Sequence, residues 1–113
     1  MPRDIPDFVP SSGGSVVSRN ITDKTARLRW LVRDAPVNPQ DNGWRFFSEI
    51  DDEPYADDPA NFHILSFNSV AAIEPAIIPI LHFPVGTDLE LVRDDAGMHF
   101  VDSATGETVD LLR

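Results

Sequence analysis

Apolar and polar positions alternate along several short stretches of this chain, and the alternation divides it into elements. Over residues 26–33, Ala26, Leu28, Trp30 and Val32 fall on one side and Arg27, Arg29 and Arg33 on the other. That is the two-residue period of a half-buried strand. Residues 15–19 form a shorter candidate strand, and the polar stretch 20–25 between the two reads as the turn of a hairpin. In residues 44–48, Trp44 and Phe46 lie on one face and Arg45 and Phe47 on the other. Apolar groups on both faces predict a central strand. Residues 62–67 predict a further strand, apolar on both faces apart from His63 and Ser66.

Past residue 67 the period changes. Asn68 or Ser69 can cap a short helix running through Ile73. Pro75 suits the first position of a second helical stretch, in which Ile77, Ile78 and Leu81 share a face. Pro79 removes a backbone donor there, so that stretch is short or starts late. Residues 87–93, 98–102 and 107–112 then read as three strands of a meander, with turns at 94–97 and 103–106. Residues 1–13, punctuated by Pro2, Pro6 and Pro10, predict a flexible N-terminal tail ahead of a single domain over 14–113. The fold class is α+β: a mainly antiparallel sheet with one or two short helices and a C-terminal β-meander.

One segment interrupts this regularity. Residues 49–61, which follow the aromatic strand, have little periodicity, contain Pro54 and Pro59, and predict a long loop with one helical turn. Loops of this length in small domains are often functional. This one carries Glu49, Asp51, Asp52, Glu53, Asp57 and Asp58.

Composition sharpens the picture. A chain of 113 residues with 42% hydrophobic and 25% charged residues can bury a core as one domain. It has no cysteine, which excludes disulfides, thiol nucleophiles and zinc–thiolate sites and suits a cytoplasmic location. No export signal or membrane-spanning stretch is expected. The net charge is −10. Between Phe46 and Val92 there are nine acids and no lysine or arginine, while Arg19 to Arg45 holds six basic residues against three acids. Nucleic acid is not the expected partner, because phosphate binding needs a positive surface. A cationic protein is, because complementary fields speed encounter.

Catalytic motifs are missing: there is no glycine-rich phosphate loop and no nucleophile elbow. His63, His82 and His99 are scattered, without partners at ligand spacing, so no metal and no cofactor is expected. Calcium would suit the acidic run by charge, yet no glycine lies between Gly43 and Gly86 to shape a binding loop. A carboxylate–Arg–Tyr site of Arg45, Asp51 and Tyr55 is the enzymatic alternative. The bland alternative has Arg45 forked onto a loop carboxylate, pinning the loop to its strand.

The run D-N-G-W-R-F-F at 41–47, D-D-E-x-Y at 51–55 and Pro59-x-Asn61 resembles a bacterial immunity-protein-like domain of polymorphic toxin systems, long catalogued as a domain of unknown function. E-P-A-I-I-P-I-L at 74–81 and P-V-G-T at 84–87 continue the resemblance, which runs in outline from Gly14 to Arg93. The chain departs from the family pattern at Glu49-Ile50, where a glycine is usual, and at Glu74, where an aspartate is usual. The resemblance implies a non-enzymatic cytoplasmic protein that binds and neutralises a cognate toxin. On that reading Asp51, Asp52, Glu53, Tyr55, Asp57 and Asp58 contact the partner, and Trp44, Arg45 and Asn61 anchor the loop. A protein-interaction domain without chemistry, such as a homodimer held by exposed apolar surface, is the runner-up.

Overall fold

The strand with apolar side chains on both faces lies at the middle of the sheet. The structure, a computed structural model, describes residues 13–95 and 97–109. Its strands are β1 (Gly14–Ser18), β2 (Leu28–Arg33), β3 (Asp41–Ser48), β4 (Phe62–Ser66), β5 (Asp88–Asp94) and β6 (Gly97–Asp102). They pair in the order β4-β1-β3-β2-β5-β6. Every neighbouring pair is antiparallel except β1 and β3, which run parallel. Helices are short: α1 (Arg19–Thr22), α2 (Glu53–Ala56), α3 (Phe67–Ile73) and the 3-10 segments Pro59–Asn61 and Pro75–Ile80. The fold is α+β, as the sequence pattern predicts.

One face of the sheet makes the core. Val17, Leu31, Trp44, Phe46, Leu89, Leu91 and Phe100 meet Phe67, Val70 and Ala71 of α3 and Ile77 and Ile80 of the 3-10 segment, all buried. The Trp44 indole donates to the Leu81 carbonyl at 3.3 Å, so the one polar atom of that ring is satisfied. Arg93 of β5 ties the end of α3 to the sheet by an ion pair with Glu74 at 2.6 Å and a bond to the Leu28 carbonyl.

Several expectations change. The strands predicted as an N-terminal hairpin do not pair: β3 inserts between β1 and β2, and α1 fills the connection. The alternation in β2 also breaks. Leu28 faces Ser48 but Trp30 faces Phe47, so β2 holds one extra residue, a β-bulge. A one-residue slip exchanges faces. Leu28 and Leu31 are therefore buried, while Trp30 and Val32 turn to the opposite face. Helix α3 is capped by Ser66, not by Asn68 or Ser69; the Ser66 hydroxyl accepts the Ser69 N–H at 3.0 Å. Phe67 thereby leaves the strand and enters the core. Pro75 does open the second segment, with the Glu74 carboxylate accepting the Ala76 N–H. Of the third meander strand, the described residues show a bridge between Val101 and Thr108, flanked by bonds from the Val109 N–H to the Phe100 carbonyl at 2.8 Å and from the Asp102 N–H to the Glu107 carbonyl at 2.9 Å. Residues 110–112 of that strand, and all of the expected tail except Gly13, lie outside the described residues.

Candidate functional site

Among the described residues, α3 and the Pro75–Ile80 segment cover the first face of the sheet and not the second. The second face presents Trp30, Val32, Phe47, Phe62 and Val16 half-buried, with Ile64 72% exposed on the edge strand β4. Across one corner of this face lies the acidic loop. Phe62 meets Phe47 edge-on at 5.7 Å, and Tyr55 of α2 closes on Phe62 at 6.0 Å.

Each turn of the loop is fixed by a side chain acting on backbone. Asp51 accepts the Ser48 N–H at 2.8 Å, the Ser48 hydroxyl at 2.6 Å and the Asn20 amide at 2.8 Å. It bends the chain away from β3. Asp52 is the N-cap of α2 and accepts the Tyr55 N–H at 3.0 Å; Asp58 caps the 3-10 turn and accepts the Ala60 N–H at 3.0 Å. Asn61 donates to the Tyr55 carbonyl at 2.9 Å, and the Tyr55 hydroxyl donates to the Asn61 carbonyl at 3.3 Å. These two bonds tie Asn61 and Tyr55 to each other across the loop. Two short turns are present where one was expected.

The basic side chains go to partners other than the loop's carboxylates. Arg29 pairs with Glu90 at 2.7 Å and lies 4.6 Å from the Trp30 ring centre. Arg33 donates to the carbonyls of Asn42, Leu81 and Phe83. Arg19 donates to the Ala60 carbonyl. Among the described residues, no ion pair reaches Glu49, Asp51, Asp52, Glu53, Asp57 or Asp58. Asp52, Glu53, Asp57 and Asp58 are exposed, whereas Asp51 is half-buried and occupied within the fold.

Arg45 does not fork onto the acidic loop. It makes two bonds of 2.9 Å to Asp41 and approaches Asp34 at 3.6 Å. The cause lies in the register. Gly14 and Val16 of β1 are two residues apart, but their partners Asp41 and Arg45 are four apart, so β3 carries a bulge at 42–44. Gly43 sits there at φ +87°, where an added Cβ would stand 2.3 Å from the Asp34 carbonyl oxygen. The bulge folds Asp41 back onto Arg45. Both residues are half-buried. The guanidinium holds the Asp41 carboxyl well below the usual carboxylate range against the opposing effect of burial, with the Val37 and Gly43 amides assisting. The carboxylate in turn raises Arg45.

The Arg45–Asp51–Tyr55 constellation is consequently not assembled, since each member has a different partner. Trp44 is fully buried and touches the opposite layer, not the loop. Among the described residues no cluster of His, Asp or Glu is arranged to hold a metal ion, and no helix is long and apolar enough to cross a membrane. Trp30 and Phe62 were not singled out as site residues from the pattern. The signal was the unbroken run Trp30-Leu31-Val32, in which strict alternation cannot place all three in one core.

Fold and face together define a small mixed-sheet α+β domain with an exposed, internally braced acidic loop. The chain belongs to a known family: residues 15–101 match the Immunity protein Imm33 domain. No curated protein and no solved structure matches it.

Proposed function

We propose that this chain is an immunity protein that binds and neutralises a cognate bacterial toxin in the cytoplasm, docking through its acidic loop. Membership of the Imm33 family supports the role. The observation that carries the docking surface is the set of exposed carboxylates, Asp52, Glu53, Asp57 and Asp58, left unpaired by every guanidinium among the described residues. The caps and the Tyr55–Asn61 clamp hold the backbone under them in one arrangement. A braced loop loses less conformational freedom on binding than a mobile one. Tyr55 adds an aromatic contact, and Asp51 serves the surface indirectly, by fixing the bend.

The test is binding to the toxin encoded beside the chain's own gene. A variant combining Asp52→Asn, Glu53→Gln, Asp57→Asn and Asp58→Asn keeps the caps, because asparagine caps as well as aspartate. Association should slow about tenfold or more at low salt and lose most of its salt dependence. Unchanged association kinetics would remove the acidic loop from the interface.

The free edge of β4 favours a second reading, self-association. Among the described residues no strand covers that edge, and Ile64 is exposed on it. Sedimentation of the wild type and of Ile64→Lys decides: a dimer lost in the variant supports it, and a monomeric wild type excludes it.

A further inference from the structure

Between α2 and the second face of the sheet there is a cleft of about 230 Å³, lined by Trp30, Phe47, Asp51, Asp52, Glu53 and Ala56. Small-molecule sites run to about 300–1,000 Å³, so this one is sized for a single side chain. Its surface is mostly apolar, and three acidic residues are among those that line it. The Glu53 carboxylate has no hydrogen-bond or ion-pair partner among the described residues. Asp52 uses one carboxylate oxygen on the Tyr55 N–H and has no described donor on the other. Asp51 is already occupied. The Trp30 ring has an affinity for cations that the chain itself displays, since the Arg29 guanidinium lies over Trp30. Arg29 is paired with Glu90 at 2.7 Å and is not among the residues that line the cleft.

We propose that this cleft seats one arginine side chain of the toxin, its guanidinium set between the Trp30 indole and the carboxylates of Asp52 and Glu53. The inference rests on the docking reading above and names its anchor. Arginine fits better than lysine because a planar guanidinium stacks on an aromatic ring and bridges carboxylates at the same time. Its methylenes lie along Phe47 and Ala56. Such desolvated aromatic–arginine anchors dominate many protein interfaces.

The probe is N-acetyl-arginine amide, titrated into the ¹⁵N-labelled full chain and followed by NMR, with the lysine amide in parallel. Trp44 is fully buried and Trp30 is not, so the Trp30 indole resonance reports on the cleft. A saturable shift at Trp30, Glu53 and Ala56, stronger for the arginine amide by about threefold or more, is the expected result. Ala56→Phe, which fills the mouth from an exposed position and alters no charge, should abolish it, and Glu53→Gln should weaken it. No saturable shift at Trp30, a shift that survives Ala56→Phe, or equal binding of the two amides overturns the proposal. Glu53→Gln carries the same decision if Ala56→Phe does not fold.

The toxin complex separates this inference from the docking reading. Ala56→Phe should raise the dissociation rate about tenfold with little change in association. Wild-type affinity for Ala56→Phe, together with weakened binding by the four-carboxylate variant, overturns the cleft alone. Wild-type affinity for both variants overturns cleft and docking together.

Discussion

Asp41 and Arg45 show how a single residue can take a role that its neighbours in sequence do not suggest. Both residues are half-buried, and the pair is bidentate. Hydrogen bonds to a charged group contribute about 1.5–3 kcal/mol, less where water reaches the pair. Asp41→Asn should accordingly lower unfolding free energy by about 1–2 kcal/mol, since water and the nearby Asp34 still answer the Arg45 charge. Urea denaturation measures it. The pH dependence follows from the direction of the shift. The folded-state pKa of Asp41 lies below its ordinary value, so the folded protein favours the ionised form. This contribution is complete above the ordinary carboxylate range, near pH 4, and is lost as pH falls below it. Wild type should lose more stability than Asp41→Asn between pH 6 and pH 2. A parallel decline would mean that other groups govern the acid limb. None of this was legible from spacing, because an extended strand keeps residues 41 and 45 far apart. The bulge at Gly43 brings them together, and a bulge leaves little trace in a hydropathy pattern.

Among elements, those with their own local chemistry could be read and those defined by distant partners could not. The aromatic alternation of residues 44–47 placed β3 at the centre, and Pro75 opened the segment it was expected to open. The pairing of β1 failed because the short turn at residues 20–25 suggested a local partner, whereas the parallel contact with β3 depends on residues far along the chain. Ser66 lies in β4 as expected, but its second role as the cap of α3 was not legible, because a capping serine looks like any polar position until the helix behind it is seen. The acidic loop was legible as a charge cluster but not as a braced structure, since its brace runs between Asn61 and Tyr55. Asn61→Ala should speed amide exchange across residues 53–61 while costing the whole fold only about 1 kcal/mol. Hydrogen exchange resolved by residue checks this. Uniform acceleration over the sheet would mean that the clamp supports the domain rather than the loop.

At the scale of the molecule, the charge is uneven and stays uneven after folding. The described guanidiniums go to carbonyls, to Asp41, to Glu90 and to Glu74, and none pairs with a carboxylate of the loop. Like charges left together repel, which opposes the compact state. Added salt should therefore raise the melting temperature of the wild type. The four-carboxylate variant should melt higher than wild type at low salt, and the gap should close at high salt. A variant that melts lower at low salt would show that those carboxylates stabilise the fold by contacts beyond their caps. The expected gain in stability and the expected loss of association belong to the same residues, so a docking role would account for a surface that folding alone does not favour.

The seating of β1 has a consequence for biogenesis. This first strand finds its neighbours only in residues 41–46 on one side and 62–66 on the other. A nascent chain leaving the ribosome cannot complete the middle of its sheet until Ser66 has emerged. Contacts so distant in sequence form slowly. The hairpin of β2 and β3 can form earlier, but the segment that bridges β3 to β4 gains its final backing only when the N-terminal strand slots between them. A cell relying on this protein would hold usable protection only after synthesis of the sheet is nearly finished, a delay set by topology rather than by affinity.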